Sequence, residues 1–224
     1  MRRAASRLLY PCGVARWALL AAVALAAIAA VSLAFVLRGT SAPAASTQAP
    51  ASSTAAATWA AGKQRAPELD LRDEHGKPIS LASLRGRMVL LTFIDPLCRD
   101  FCPIEAQRLS DAVRSTTGAK PTIVAVSVNT AGNRADILRV DERKWNVVPQ
   151  WRWAVGSESA LARVWHAYHI AVFVTTKKVA GVRVRNVVHT EGSYLIDGNG
   201  YERALFLWPY TADAVLKELR ATTS

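Results

Sequence analysis

The longest apolar stretch of the chain runs from Trp17 to Leu37 (WALLAAVALAAIAAVSLAFVL) and holds no charged residue. At about 1.5 Å per residue, a helix of this length covers a bilayer core of about 30 Å. Beyond it the pattern breaks into shorter units. Leu69 and Leu71 alternate with polar residues ahead of a Glu-His-Gly-Lys turn, which predicts a short β-hairpin across Pro67 to Ser80. Met88 to Ile94 and Thr122 to Val128 are almost continuously apolar, as strands are when a parallel sheet is covered on both faces. Pro103 to Thr117, between them, reads as a helix with Pro103 in its first turn and Gly118 at its end. Leu161, Val164, Trp165 and Tyr168 recur at helical spacing, as do Ala212, Val215, Leu216 and Leu219. Ser157 and Thr211 suit the N-caps of those two helices, and a further helix is predicted from Arg134 to Trp145. Ser193 to Asp197 and Tyr201 to Leu207 flank Gly198-Asn199-Gly200, a strong hairpin signal.

This order of elements, a βαβ start closed by an antiparallel hairpin and a helix, predicts an α/β, thioredoxin-like fold with a central mixed sheet and flanking helices. It occupies residues 66–224. Residues 38–65 form a linker, because Gly39 to Gly62 is rich in Ala, Ser, Thr and Pro, carries no charge and has little to bury. Residues 1–16 form a basic N-terminus and 17–37 a transmembrane anchor. Arg2, Arg3, Arg7 and Arg16 precede the apolar run and only Arg38 follows it before Lys63. The positive-inside rule therefore places the N-terminus in the cytoplasm and the C-terminal domain on the extracytoplasmic side of the cell membrane. A cleaved signal peptide is the alternative, with Ala42-Pro43-Ala44 as the small-residue stretch, but the apolar run exceeds the usual core of about 7–15 residues.

The formal net charge is +11, and removing the five arginines around the anchor leaves +6. A basic domain suits nucleic acid, an anionic surface or an acidic protein, and the anchor argues against nucleic acid. The basic stretch around Lys177, Lys178, Arg183 and Arg185 is a candidate docking surface for an acidic partner, or a solvated turn.

Of three cysteines, Cys12 precedes the anchor, so only Cys98 and Cys102 fall in the folded domain. They sit at i and i+4, after a buried strand and at a predicted helix start. Unpaired N–H groups and the helix dipole there favour thiolate, the form that attacks disulfides and binds soft metals. Two thiolates leave a metal site short of ligands. Of the four histidines, His75 lies in a turn, and His166 and His169 flank the apolar face of their helix. His189 ends a basic alternating strand and precedes Tyr194-Leu195-Ile196-Asp197. In a thioredoxin fold the loop before that strand faces the cysteines, which makes His189 the candidate third ligand.

From about Ala66 onward the chain resembles the SCO/SenC family of copper proteins. The resemblance rests on Cys98-x-x-x-Cys102-Pro103 after an apolar strand and on His189 followed by Tyr194-Leu195-Ile196-Asp197. Leu69-x-Leu71-x-Asp73-x-x-Gly76-x-x-x-x-Leu81 and the Val126-Ser127-Val128 strand end match as well. It implies a thioredoxin fold, a membrane anchor and a copper ion, Cu(I) or Cu(II), held by Cys98, Cys102 and His189. It also implies a role in building the CuA centre of cytochrome c oxidase, whose CuA-bearing subunit would be the partner. Three positions depart from the family pattern: Arg99 stands where Pro is usual, Asn129 where Asp is usual, and Val188 where an Asp commonly precedes the histidine. The same cysteines could instead serve a thiol–disulfide oxidoreductase, with Cys98 and Cys102 as its redox pair and His189 tuning them. A thiol peroxidase of the related fold would place Thr or Ser where this chain has Asp95.

Overall fold

The computed structural model describes residues 51–223. The expected cytoplasmic segment (1–16) and transmembrane anchor (17–37) lie outside the described residues. Among those described, no helix is long and apolar enough to cross a membrane.

The chain runs through β1 (Ala57–Thr58), β2 (Gln64–Arg65), β3 (Leu71–Arg72), β4 (Pro78–Ile79), β5 (Val89–Ile94), α1 (Phe101–Ser115), β6 (Thr122–Ser127) and α2 (Ala135–Lys144). It continues through β7 (Trp151–Ala154), α3 (Glu158–Ala167), β8 (Val172–Val179), β9 (Val182–His189), β10 (Gly192–Ile196), β11 (Tyr201–Leu207) and α4 (Ala212–Thr223). The central sheet is ordered β1-β11-β10-β5-β6-β7, with β2 also pairing β11. β5, β6 and β7 are parallel, and β10 runs antiparallel to both β5 and β11. This is the mixed sheet with flanking helices expected of a thioredoxin-like fold. One boundary differs from the sequence reading, which ends the linker at residue 65. β1 and β2 both pair β11, so the last residues of that stretch belong to the sheet. Their small and polar side chains gave no strand signal; the pairing is supplied by the backbone edge of β11.

The continuous apolar runs of β5 and β6 split by the strand period of two. Leu90, Ile94, Ile123 and Ala125 face a core shared with Leu109, Val113, Leu138, Val215 and Leu219 of helices α1, α2 and α4. Val89, Leu91, Phe93, Val124 and Val126 face a second core with Leu161 and Val164 of α3 and the β3–β4 hairpin. The N-cap readings hold: Ser157 accepts from the Ala160 N–H at 3.2 Å and Thr211 from the Ala214 N–H at 3.1 Å.

β8 and β9 form a two-stranded sheet of their own, outside the central sheet. Its base returns to the core through Val172 and Val187, which pack on the second cluster. The hairpin places His189 at its base, three residues before β10.

Candidate functional site

β5 ends at Ile94, and the next six residues turn the chain into α1. Asp95 organises that turn: its Oδ1 accepts the Leu97 N–H at 2.7 Å and its backbone carbonyl accepts the Cys98 N–H at 3.0 Å. Its Oδ2 accepts from Asn129 Nδ2 at 3.2 Å. An aspartate at position 129 would oppose Asp95 there, so the amide converts a like-charge contact into a hydrogen bond. Gly132 packs under the same turn, where a Cβ would stand 2.8 Å from Pro96 Cβ.

Arg99 pins the loop from outside. Its Nη1 donates to the carbonyls of Pro96 (2.9 Å) and Cys98 (2.7 Å) and pairs with the buried Asp141 of α2 at 3.4 Å. The residue that departs from the family's proline thus fixes the loop by three polar contacts where proline would fix it by its ring.

Cys98 is half-buried and Cys102 is buried in the first turn of α1, both as free thiols. The Cys102 N–H points at Cys98 Sγ across 3.4 Å. A hydrogen bond from the Cys102 side chain pulls the Cys98 thiol down from 9.0 to about 6, aided by the backbone N–H groups of Cys102, Asp100 and Phe101 and opposed by burial. The same bond pushes Cys102 far up, helped by burial and by the charges of Cys98 and Glu105. The pair is therefore divided into an accessible thiolate and a buried thiol, as a helix N-terminus allows.

Beneath Cys102, one turn along the helix, lies the fully buried Glu105. Its Oε1 accepts from Thr92 Oγ1 (2.8 Å), Ser193 Oγ (3.0 Å) and the Tyr210 hydroxyl (3.0 Å). Burial raises this carboxyl, and the three hydroxyls hold it back. The network ties α1 to β5, to β10 and to the segment after β11.

His189 lines the same cleft as both cysteines, a space of about 440 Å³ also walled by Asp95, Asn129, Arg185 and Glu191. Its Nδ1 lies 3.0 Å from the Thr190 carbonyl. A carbonyl only accepts, so this bond fixes the proton on Nδ1 and leaves the Nε2 lone pair free for a metal. The cleft gathers the three expected ligands, although among the described residues no three Cys, His, Asp or Glu side chains stand at metal-binding spacing. Two sulfurs and one imidazole nitrogen are a donor set suited to a soft ion. Closing them on one requires His189 to approach the cysteines. His75, His166 and His169 are exposed and outside the cleft.

Glu105, Glu191 and Asp141 were not singled out by sequence reasoning. Glu105 had a legible signal: it shares the inward stripe of Cys102, Ala106, Leu109 and Val113. Glu191 is raised to about 7 by burial, then by Glu105 and Cys98.

The site falls in a domain that matches the family model SCO1/SenC over residues 59–224, and the chain belongs to this family. Solved structures give the same fold. The copper-bound ScoI of Bradyrhizobium japonicum has 21% identity and a TM-score of 0.60, covering 70% of this chain and 99% of its own. Copper-bound yeast Sco1 has 18% identity and a TM-score of 0.63, covering 72% and 89%. BsSco, described with a disulfide switch as a member of the Sco family of cytochrome c oxidase assembly proteins, has 18% identity and a TM-score of 0.58, covering 75% and 98%. A search of curated proteins returned no match.

Proposed function

We propose that this chain is a membrane-anchored copper metallochaperone working on the extracytoplasmic side of the cell membrane. Its cargo is bound by Cys98, Cys102 and His189, and its recipient is the CuA-bearing subunit of cytochrome c oxidase. The observation that carries this reading is the shared cleft, in which an accessible thiolate, a second sulfur one helical turn away and a histidine with a free Nε2 line one space. Copper-bound relatives of the same fold support it.

Cu(I) is a soft ion content with two thiolates and an imidazole, and Cu(II) would take a further oxygen or nitrogen. Cys98 needs little help to ionise. Cys102 must lose its proton on binding, so metal uptake releases protons and weakens in acid. His189 binds through Nε2, whose lone pair the Nδ1 contact with the Thr190 carbonyl leaves free.

X-ray absorption at the copper edge of the loaded full-length chain tests the ligand set. Two sulfurs and one nitrogen are expected, with one sulfur lost in Cys98→Ser and the nitrogen in His189→Ala. An unchanged shell in either variant would exclude that residue.

The second reading is a thiol–disulfide oxidoreductase, favoured by the division of the pair into an attacking thiolate and a buried resolving thiol. It expects dithiol exchange that survives His189→Ala, in a protein that takes up no copper.

A further inference from the structure

The β8–β9 hairpin stands outside the central sheet and shows water an apolar face. Residues opposite each other on the ladder share a face, so Phe173 with Val188, Thr175 with Asn186 and Lys177 with Val184 form one side. On it Phe173 is 66% exposed, Val188 57% and Val184 44%. A two-stranded sheet is marginal by itself in water, and one with a bare Phe-Val-Val stripe gains from being covered.

The apolar surface continues across the cleft. Val188 lines one wall, and Leu97 and Phe101 line the wall that carries Cys98. Leu97 is 40% exposed, Phe101 44% and Ile104, one turn further along α1, 41%. The cysteine cleft thus opens in the middle of an apolar collar. The hairpin carries charge of one sign: Val172 to His189 holds Lys177, Lys178, Arg183 and Arg185 and not one acid, while Asp95, Asp100 and Glu191 line the cleft itself.

We infer that this collar is the docking surface for the chain's recipient, a folded acidic protein with an apolar patch at the centre of its contact face. The inference rests on the metallochaperone reading. Charge selects this occupant. A second copy would set four hairpin cations against four more. Residues 1–49 of the same chain cannot neutralise them, because the first acidic residue is Glu68. An anionic membrane would meet the hairpin at its tip, whose sequence is Val179-Ala180-Gly181-Val182. Phe173 and Val188 sit instead at the base, beside the cleft through which a metal ion must pass. The rim cations steer the partner and the collar excludes water around the transfer path.

The test uses the full-length chain in detergent and the soluble CuA domain of the host's cytochrome c oxidase as the probe. Stopped-flow association is followed from low to physiological ionic strength for wild type, Lys177→Glu/Lys178→Glu and Phe173→Ser. Copper content is measured on the same samples. The charge reversal is expected to slow association about tenfold or more at low salt and to flatten its salt dependence. Phe173→Ser is expected to speed dissociation about tenfold. All three proteins should keep wild-type copper content, since neither change touches a ligand. Unchanged association in the reversal, or no wild-type binding, would overturn the docking surface. So would loss of binding to anionic phosphatidylglycerol vesicles with acceptor binding intact, which would make the hairpin a membrane contact. Absence of copper in wild type would count against the metallochaperone reading itself, independently of the kinetics.

Discussion

Removing the Cys102 sulfur should change how Cys98 titrates. The side chain of Cys102 is the largest influence holding Cys98 at about 6 in place of 9.0, and the backbone N–H groups at the start of α1 add to it. At pH 7 this raises the thiolate fraction from about 1% to about 90%. Intrinsic nucleophilicity falls as basicity falls, by about 15- to 30-fold for three units at a Brønsted slope of about 0.4–0.5. The rate at pH 7 therefore gains only about three- to sixfold, and the midpoint of the pH profile is the sharper observable. The assay is alkylation of the reduced full-length chain by iodoacetamide from pH 4.5 to 10, anaerobically. Peptide mass analysis separates Cys98 from Cys12 and Cys102. Wild-type Cys98 should titrate near 6, with Cys102 unreactive across the range. In Cys102→Ala the Cys98 midpoint should climb back toward 9.0, because burial then opposes the N–H groups that remain. A wild-type midpoint near 9, or one that Cys102→Ala leaves in place, would refute the division of the pair.

Other expectations follow from the neighbouring geometry. Gly132→Ala drives a methyl to 2.8 Å from Pro96 Cβ. The rigid ring must yield, so urea unfolding should show a loss of about 1–3 kcal/mol, with altered Cys98 alkylation because Pro96 leads into the cysteine loop. Glu105→Ala leaves three buried hydroxyls without their carboxylate and should cost about 1–3 kcal/mol; thermal unfolding of wild type and variant checks it, and equal midpoints would show that the hydroxyls satisfy one another. Glu202 is buried in β11 and burial raises its carboxyl from 4.5 to about 7. A raised folded value means that its share of stability is intact below about 4.5 and lost as pH rises through about 7. Glu202→Gln should therefore be more stable than wild type at pH 8 and equal to it at pH 4.5, as read by denaturant midpoints. Leu109→Ala, in the middle of the α1 stripe, should cost about 2–5 kcal/mol.

The strands and helices with strong periodicity were legible because burial demands it. β5 and β6 are covered on both faces and read as unbroken apolar runs, while α3 and α4 carry one stripe each. The cysteine pair was legible through its position at a strand-to-helix junction. His189 was legible only through the fold, since nothing local marks it off from a surface histidine. What escaped depends on distant segments meeting. Thr92, Ser193 and Tyr210 come from three elements, and no one of them announces that it will hold Glu105. The effect of Asn129 on Asp95 is likewise a contact across 34 positions, visible in sequence only as a departure from a pattern. The pairing of β1 and β2 with β11 was hidden by Ala- and Thr-rich sequence that shows no alternation.

On the reading proposed above, Cys98, Cys102 and His189 act as one copper site. Its most direct test is Cu(I) stoichiometry and affinity of the reduced full-length chain, by anaerobic competition with a chromophoric chelator, beside Cys98→Ser, Cys102→Ser and His189→Ala. One tightly held copper per chain is expected in wild type, with strong weakening in each variant. Wild-type affinity in all three variants, or no copper in wild type beside a rapidly exchanging Cys98–Cys102 couple, would contradict it and leave the chain an oxidoreductase.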